Sequence, residues 1–210
     1  MYQFGRVLTL QGDTRETMPW AVEVTAHVNA NTDMDVTLWG SVFGYPVGTV
    51  AWSTFVEGRA QLSDEMAKLP TDPAYLDLAL KAQEWVTGPA EDIFRSLVHG
   101  GPAEDPPAVG AIASITQAVA ATGKMPEAVA WGVDMAQHAS SVTGIAVSLL
   151  VNAYGDFGGM AFISTAADMA VADASGDALQ ADADYVAKIG ASAGLFVDGT
   201  AHQSLLQRLA

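Results

Sequence analysis

Four histidines are the side chains of this 210-residue sequence best able to move a proton near neutral pH. His27 and His138 lie 111 residues apart near the ends of predicted helices, where an imidazolium interacts favourably with the helix dipole, and we interpret them as helix caps. His99 and His202 come near the predicted last strand of each half. Strand ends border the mouth of a barrel, so these two histidines are the candidates for catalysis.

Two arginines are predicted to lie within strands of the first half. A guanidinium in a strand needs a carboxylate partner or a route to solvent, and Glu91 or Asp92 could be that partner. Arg6 and Arg95 could instead hold an anionic group of a substrate, so both are candidates for ligand binding.

The composition excludes several classes of protein. The sequence has 9 Lys and Arg against 24 Asp and Glu, a net charge of −15, which disfavours nucleic acid and anionic membranes as partners. It has no cysteine, so thiolate chemistry and disulfides are excluded. Zinc-protease, dinucleotide and P-loop spacings are also missing, and we expect no metal ion and no cofactor. No signal-peptide pattern and no apolar run of ~18 residues is found, so we expect a cytoplasmic protein.

An internal repeat organises the chain. Ala26-His27 matches Gln137-His138, and Gly44 matches Gly155, at one common offset of 111 residues. A segment rich in Gly, Pro and acidic residues separates the two copies. We therefore predict a first repeat over 1–100, a linker over 101–107 and a second repeat over 108–210.

Each repeat shows the same order of elements: strand, helix, two strands, helix, strand. The first repeat is predicted as strands at 2–11, 35–43, 49–57 and 92–99 with helices at 17–31 and 63–86. The second is predicted as strands at 109–117, 143–154, 160–165 and 193–198 with helices at 126–140 and 166–187. This order is the ferredoxin-like βαββαβ unit. The predicted fold is α+β, with two tandem ferredoxin-like repeats whose antiparallel sheets pack as a pseudo-dimeric α+β barrel.

The second strand of each repeat has two different faces, because side chains on a strand alternate with period two. One face is apolar and is expected to lie under the helices. The opposite face is mixed and is expected to meet the other sheet: Thr37, Trp39, Ser41 and Phe43 in the first repeat, and Ser148, Leu150, Asn152 and Tyr154 in the second. Such a face suits an apolar or aromatic small molecule with one or two polar groups, or it packs the two sheets together.

One part of the first repeat resembles a known family. The segments Gly48–Ser53, Ser63–Met66 and Asp72–Tyr75, with Leu69, are similar to the NIPSNAP-like branch of the dimeric α+β barrel superfamily. The second repeat keeps only Gly159–Phe162 of this pattern. The superfamily includes cofactor-free monooxygenases, lactone isomerases and heme-handling proteins, so the resemblance implies the fold more than a function.

Two hypotheses of function follow. The first is a cofactor-independent oxygenase or isomerase for an aromatic or polyketide-like substrate. Trp39, Phe43, Tyr154 and Ser41 would contact the substrate, and Asn152, His99 or His202 would polarise an oxygen or move a proton. The second is a noncatalytic binding or assembly protein. The sequence leaves open whether the barrel closes within one chain or between chains, and the edge strands of such sheets favour a homodimer.

Overall fold

The computed structural model describes residues 1–102 and 106–210, and each half of the chain contributes a four-stranded antiparallel sheet with helices on one face. The elements of the first half are β1 (Tyr2–Leu10), α1 (Thr14–Asn31), β2 (Thr37–Phe43), β3 (Thr49–Val56), α2 (Arg59–Met66), a 3-10 helix (Leu69–Thr71), α3 (Pro73–Trp85) and β4 (Val86–His99). Those of the second half are β5 (Ile112–Val119), α4 (Met125–Thr143), β6 (Val147–Tyr154), β7 (Gly159–Ala166), α5 (Met169–Ala181), α6 (Ala183–Gly190) and β8 (His202–Arg208). This order confirms the predicted α+β fold. The predicted linker lies between β4 and β5, and its residues 103–105 lie outside the described part of the chain.

The second helical region of each half is two helices, where the sequence predicted one. In the first half Pro70 and Pro73 lack the N–H that a continuous helix needs, and the Asp72 carboxylate caps α3 by accepting from the backbone N–H of Ala74 at 2.9 Å. In the second half the break falls at Asp182, whose carboxylate accepts from the Tyr185 N–H at 2.6 Å. The second half therefore keeps the Asp and the Tyr of the Asp-Pro-Ala-Tyr segment.

The last strand was predicted at the wrong place. Residues 193–198 form turns, with one isolated bridge between Phe196 and Ala120. Positive φ angles at Gly194 and Gly199 interrupt an extended chain there. The strand is β8, whose polar sequence hides its alternation, and Phe196 packs instead against the helices of its half.

The two sheets close into one eight-stranded barrel in the order β1-β3-β2-β8-β5-β7-β6-β4. The closing seams are β2 with β8 and β4 with β6, both antiparallel and both between the two halves. The barrel therefore closes within a single chain. Because β2 and β4 are paired in this way, the edge-strand argument for a homodimer loses its basis, and the homodimer stays a prediction.

The buried hydrophobic side chains form three clusters, of which two lie on the outer face of the barrel and one lies inside it. One lies between the first sheet and its helices, around Trp20, Leu38 and Trp52, and a second lies between the second sheet and its helices, around Leu149. The third lies inside the barrel, around Trp39, Ala51, Ala113 and Leu206. Along β2 and β6, alternate side chains therefore face the helices outside the barrel and the interior of the barrel. This alternation holds up to Ser41 in β2 and up to Asn152 in β6.

Candidate ligand-binding sites

A cavity of about 610 Å³ lies inside the barrel; we call it the barrel cavity. Its apolar walls come from alternate positions of several strands: Val7, Trp39, Ala51, Ile93, Ile115, Leu150, Ile163 and Leu206. Trp39 is 8% exposed, and its Nε1 donates a hydrogen bond to Thr37 Oγ1 at 2.8 Å. The barrel cavity thus offers a largely apolar surface of the kind that binds small molecules.

One cation lies in this apolar surrounding. Arg95, on β4, lines the barrel cavity and is only 7% exposed. Its Nε donates to Asn152 Oδ1 at 3.0 Å, and its Nη2 donates to Gln117 Oε1 at 2.9 Å. Among residues 1–102 and 106–210, no Asp or Glu forms an ion pair with it. Burial lowers the pKa of the Arg95 guanidinium, and the partial compensation comes from Tyr45 and Glu91.

A second cavity, of about 540 Å³, lies between the outer face of the first sheet and the helices α1 and α3; we call it the helix–sheet cavity. Aromatic rings form much of its wall: Phe4, Trp20, Trp52 and Tyr75. The ring centroids of Trp20 and Trp52 are 6.1 Å apart in an edge-to-face arrangement. Trp20 Nε1 donates to the backbone oxygen of Leu78 at 3.0 Å, which fixes this ring between α1 and α3.

Arg6 is the cationic side chain that lines the helix–sheet cavity. Its Nε and Nη2 donate to the two carboxylate oxygens of Asp92 at 2.7 and 2.8 Å, so the pair is bidentate. The hydrogen bond with Asp92 raises the pKa of Arg6, which keeps the guanidinium charged. Of the two carboxylates predicted as partners, Asp92 pairs with Arg6, and neither Glu91 nor Asp92 pairs with Arg95.

The histidines of α1 and α4 connect helices. His27 Nε2 lies 2.6 Å from Asp72 Oδ2, and His138 Nε2 lies 2.8 Å from Asp182 Oδ1. In each half the histidine of the first helix thus contacts the capping aspartate of the last helix. These hydrogen bonds are the largest influence on the aspartates and lower the pKa of both carboxyl groups. The predicted role as caps of their own helices is therefore replaced by a tie between helices.

The two candidate catalytic histidines lie far apart. His99 is the last residue of β4 and His202 is the first residue of β8. Four antiparallel pairings separate β4 from β8 around the barrel, so the two strands run in the same direction and the two histidines lie at opposite ends. His202 packs edge-on against Tyr45 at 5.6 Å between ring centroids. Neither histidine lines either cavity, and their catalytic role stays a prediction.

Phe43 and Tyr154 do not face the inside of the barrel, because each of their strands carries a β-bulge. Ser41 pairs with Leu206 and Phe43 with Leu205, which leaves one unpaired residue between them, and β6 has the same shift before Tyr154. The extra residue reverses the alternation. Phe43 is 63% exposed and Tyr154 is 54% exposed.

Tyr154 contacts groups outside the barrel. Its hydroxyl accepts from Arg59 Nη1 at 2.5 Å, and its ring lies 6.1 Å from that of Phe94. Ser41 remains on the inner register but does not line the barrel cavity. Of the predicted site residues, the barrel cavity brings together Trp39, Arg95 and, through its hydrogen bond, Asn152.

Sequence reasoning missed part of both cavities. Trp20 and Trp52 were interpreted as packing residues, and they do belong to the core, yet both also line the helix–sheet cavity. The sequence did contain a sign that Trp52 is more than a packing residue, because the equivalent position in the second half is Phe162. Gln117 was not recognised, because nothing local shows that its amide reaches Arg95 across the barrel.

The described residues contain no obvious place for a metal ion. In residues 1–102 and 106–210, no group of three or more His, Cys, Asp or Glu side chains is arranged to hold one. Within the same ranges, no helix is both long enough and apolar enough to cross a membrane.

Solved structures share this fold at low sequence identity. A proposed monooxygenase from Fusobacterium nucleatum matches with a TM-score of 0.75 and 9% identity over 100% of this chain and 92% of its own. An anthrone oxidase-like protein matches with a TM-score of 0.71 and 15% identity over 100% and 91%. A proposed chlorite dismutase matches with a TM-score of 0.56 and 10% identity over 100% and 96%. The sequence matches no protein-family model and no curated protein.

These likenesses and the closed eight-stranded barrel define the class of fold. The chain is an α+β barrel built from two ferredoxin-like halves, similar in fold to structures described as monooxygenase, anthrone oxidase-like and chlorite dismutase proteins. At these identities the likeness extends to the fold and no further.

Proposed function

We propose that this protein binds an electron-rich aromatic small molecule in the helix–sheet cavity and oxidises it with O₂ without a cofactor. The observation that carries the proposal is the pairing of aromatic walls with one guanidinium in this cavity. The rings of Trp20, Trp52 and Tyr75 match a flat aromatic substrate, and among the described residues Arg6 supplies the only charge in the lining. Beside aromatic walls, a cation interacts more strongly with an anionic group than it does in bulk solvent.

The reaction we propose needs a substrate whose C–H bond is acidic, such as a methylene group between two rings and conjugated to a carbonyl. Loss of a proton gives an enolate, whose oxygen Arg6 would stabilise; Asp92, hydrogen-bonded to Arg6, is the nearest candidate to accept the proton. The enolate transfers one electron to O₂, and the two radicals combine to a peroxide anion, which takes the proton back from Asp92 to form a hydroperoxide. Loss of water from the peroxide gives a carbonyl, so one CH₂ and one O₂ become one C=O and one H₂O.

Three further observations support the proposal. Structures of similar fold include an anthrone oxidase-like protein and a proposed monooxygenase. The segment that resembles the NIPSNAP-like branch forms α2, α3 and the link between them, and it contributes Met66, Leu69 and Tyr75 to the cavity wall. The position equivalent to Arg6 on β5 is Thr116, so the charge occurs in one half only.

Anthrone is the probe that tests this function. Binding is measured by quenching of tryptophan fluorescence, and turnover by O₂ uptake together with the absorbance of the anthraquinone formed, against heat-denatured protein. Arg6→Met should reduce kcat by about 10²-fold, because it removes a preorganised electrostatic contact. Arg6→Lys should recover part of the rate, and Arg15→Met, an exposed arginine at the start of α1, should leave it unchanged.

The alternatives give different results. Quenching without O₂ uptake above the denatured control would support the noncatalytic binding protein. Uptake that is unchanged in Arg6→Met would contradict the role given to this residue. An isomerase would convert its substrate with no O₂ consumed. Absence of quenching by anthrone and by tricyclic analogues would refute binding in this cavity.

A further inference from the structure

The position of Arg95 departs from the internal symmetry of the barrel. Arg95 pairs with Asn152 across the seam between β4 and β6, and Leu206 pairs with Ser41 across the equivalent seam between β8 and β2. Both side chains are buried, at 7% and 4% exposure, and both line the barrel cavity. The same place in the fold is thus filled by leucine in one half and by arginine in the other. Packing of the barrel does not require the charge.

Burial of the Arg95 guanidinium without an anionic partner is energetically unfavourable. A buried guanidinium loses its hydration, and the structures that tolerate one almost always supply a carboxylate or another anion. Here two neutral amides accept from Nε and Nη2. The Nη1 group of Arg95 makes no hydrogen bond with the described residues, and no carboxylate within those ranges is paired with it. Among residues 1–102 and 106–210, the cavity therefore has an anion-binding group that is not paired with a carboxylate.

We propose that the barrel cavity binds a small molecule with one carboxylate and an apolar body, held by its carboxylate on Arg95. The planar fork of a guanidinium fits a carboxylate in a bidentate way, and Asn152 and Gln117 fix the orientation of the fork. Several side chains of the lining favour an apolar body, including Trp39 and Leu150. A volume of about 610 Å³ lies in the range of cavities that enclose ligands of drug size.

The cavity runs along the barrel, from Tyr45 and Thr49 near the end of β2 and the start of β3 toward the opposite end. At that end its lining includes Asp35 just before β2, Ile145 just before β6, and Pro102 and Pro107 of the predicted linker. All of these lie at the end of the barrel where β2 and β6 begin. A ligand would enter there and place its carboxylate inward at Arg95, with Asp35 at the mouth disfavouring a second anionic group. The cavity should therefore accept a ligand with a single anionic headgroup.

This site is separate from the helix–sheet cavity, because β3 lies between the two cavities and its residues Trp52, Ser53 and Thr54 border both. The proposal depends on Arg95 and not on Arg6. Variants of the two arginines therefore distinguish the failure of one proposal from the failure of the other.

The test is calorimetric titration with decanoate and with decanol, which share a chain and differ in charge, at concentrations below micelle formation. The wild-type protein should bind decanoate at least about tenfold more tightly than decanol, since a hydrogen-bonded charge pair contributes this much. Arg95→Leu copies the residue of the other seam and should abolish the preference. Arg95→Lys keeps the charge without the fork and should retain part of it. Arg6→Met and Arg59→Met are the matched controls and should bind decanoate as the wild type does.

The Arg95→Leu variant also tests whether the fold needs the charge of Arg95 for its stability. Arg95→Leu removes a buried charge that no carboxylate of residues 1–102 and 106–210 pairs with, and it leaves a side chain that the fold already accepts at Leu206. Its melting temperature should therefore not fall below that of the wild type. Decanoate should raise the melting temperature of the wild type and not that of Arg95→Leu. Loss of decanoate binding in Arg6→Met with retention in Arg95→Leu would overturn the proposal. So would equal affinity of the wild type for decanoate and decanol.

Discussion

Two equivalent glycines test whether the barrel closes as described. Gly44 and Gly155 follow the bulged ends of β2 and β6, and both have positive φ, +88° and +95°. A Cβ on Gly44 would lie 2.7 Å from Ser204 Cα and 2.8 Å from Ser204 Cβ, and would also overlap the backbone oxygen of Gln203, so it would strike β8. A Cβ on Gly155 meets nothing nearer than Asn152 Nδ2 at 3.8 Å.

Alanine at either glycine incurs the cost of the left-handed backbone, about 1–2 kcal/mol. Gly44→Ala also forces β2 and β8 apart at the seam, which adds about 1–3 kcal/mol as overpacking does in a core. We expect Gly155→Ala to lower the free energy of unfolding by about 1–2 kcal/mol and Gly44→Ala by about 2–5 kcal/mol. In a chain of this size each 1 kcal/mol lowers the melting temperature by about 2–4 °C.

Unfolding of both variants in urea is monitored by circular dichroism at several protein concentrations. Comparing the two removes the backbone cost that they share, so the difference reports the contact with β8 alone. Equal destabilisation of Gly44→Ala and Gly155→Ala would refute the packing of the β2–β3 hairpin on β8, and with it the closure of the barrel at this seam.

Two further predictions concern acid stability and the exposed rings. Hydrogen bonds from His27 and His138 lower the pKa of Asp72 and Asp182, so their stabilisation is complete above the unfolded pKa near 3.9 and is lost as the pH falls further through the folded value. Asp72→Asn should be less stable than the wild type at pH 7, with a gap that narrows below pH 4 in urea titrations; a constant gap would contradict the pairing. Phe43→Ser should bind anthrone and decanoate as the wild type does, and a tenfold loss would place Phe43 at a ligand.

The fold could be predicted well from the sequence because the hydrophobic alternation along each strand is a local pattern and occurs in both halves. Alternation along β2 placed Leu38 outward and Trp39 inward, and the same pattern appeared in β6 at Leu149 and Leu150. It failed at β8, where polar residues conceal the alternation and the apolar segment around Phe196 looks more like a strand. Repetition of a pattern helps only where both copies keep it.

The sites were less predictable because they depend on contacts between distant strands. Alternation alone placed Phe43 and Tyr154 inside, since a bulge leaves no mark in a single sequence. His99 and His202 looked equivalent, but one ends its strand and the other begins its strand. The contact of Gln117 with Arg95 crosses the barrel and has no local signal.

The two halves serve as controls for each other, and this separates structural from functional side chains. Trp20 donates to the backbone oxygen of Leu78 at 3.0 Å, and Trp131 donates to that of Lys188 at 2.9 Å in the equivalent place. A contact that recurs in both halves stabilises the shared fold.

Arg95 and Arg6 do not recur: their equivalents are Leu206 and Thr116, side chains that satisfy the same backbone positions without a charge. The ion pair of Arg6 with Asp92 has a counterpart in the hydrogen bond that Gln203 donates to Thr116, so this cross-strand contact supports the fold in both halves. Arg95 has no such counterpart, because Leu206 fills the equivalent place without a charge. The charge of Arg95 lies buried in a largely apolar cavity, at a position that leucine fills in the other half, and is best explained by a ligand that binds to it. Exchanging Arg95 for leucine should therefore remove binding of the carboxylate while leaving the barrel intact.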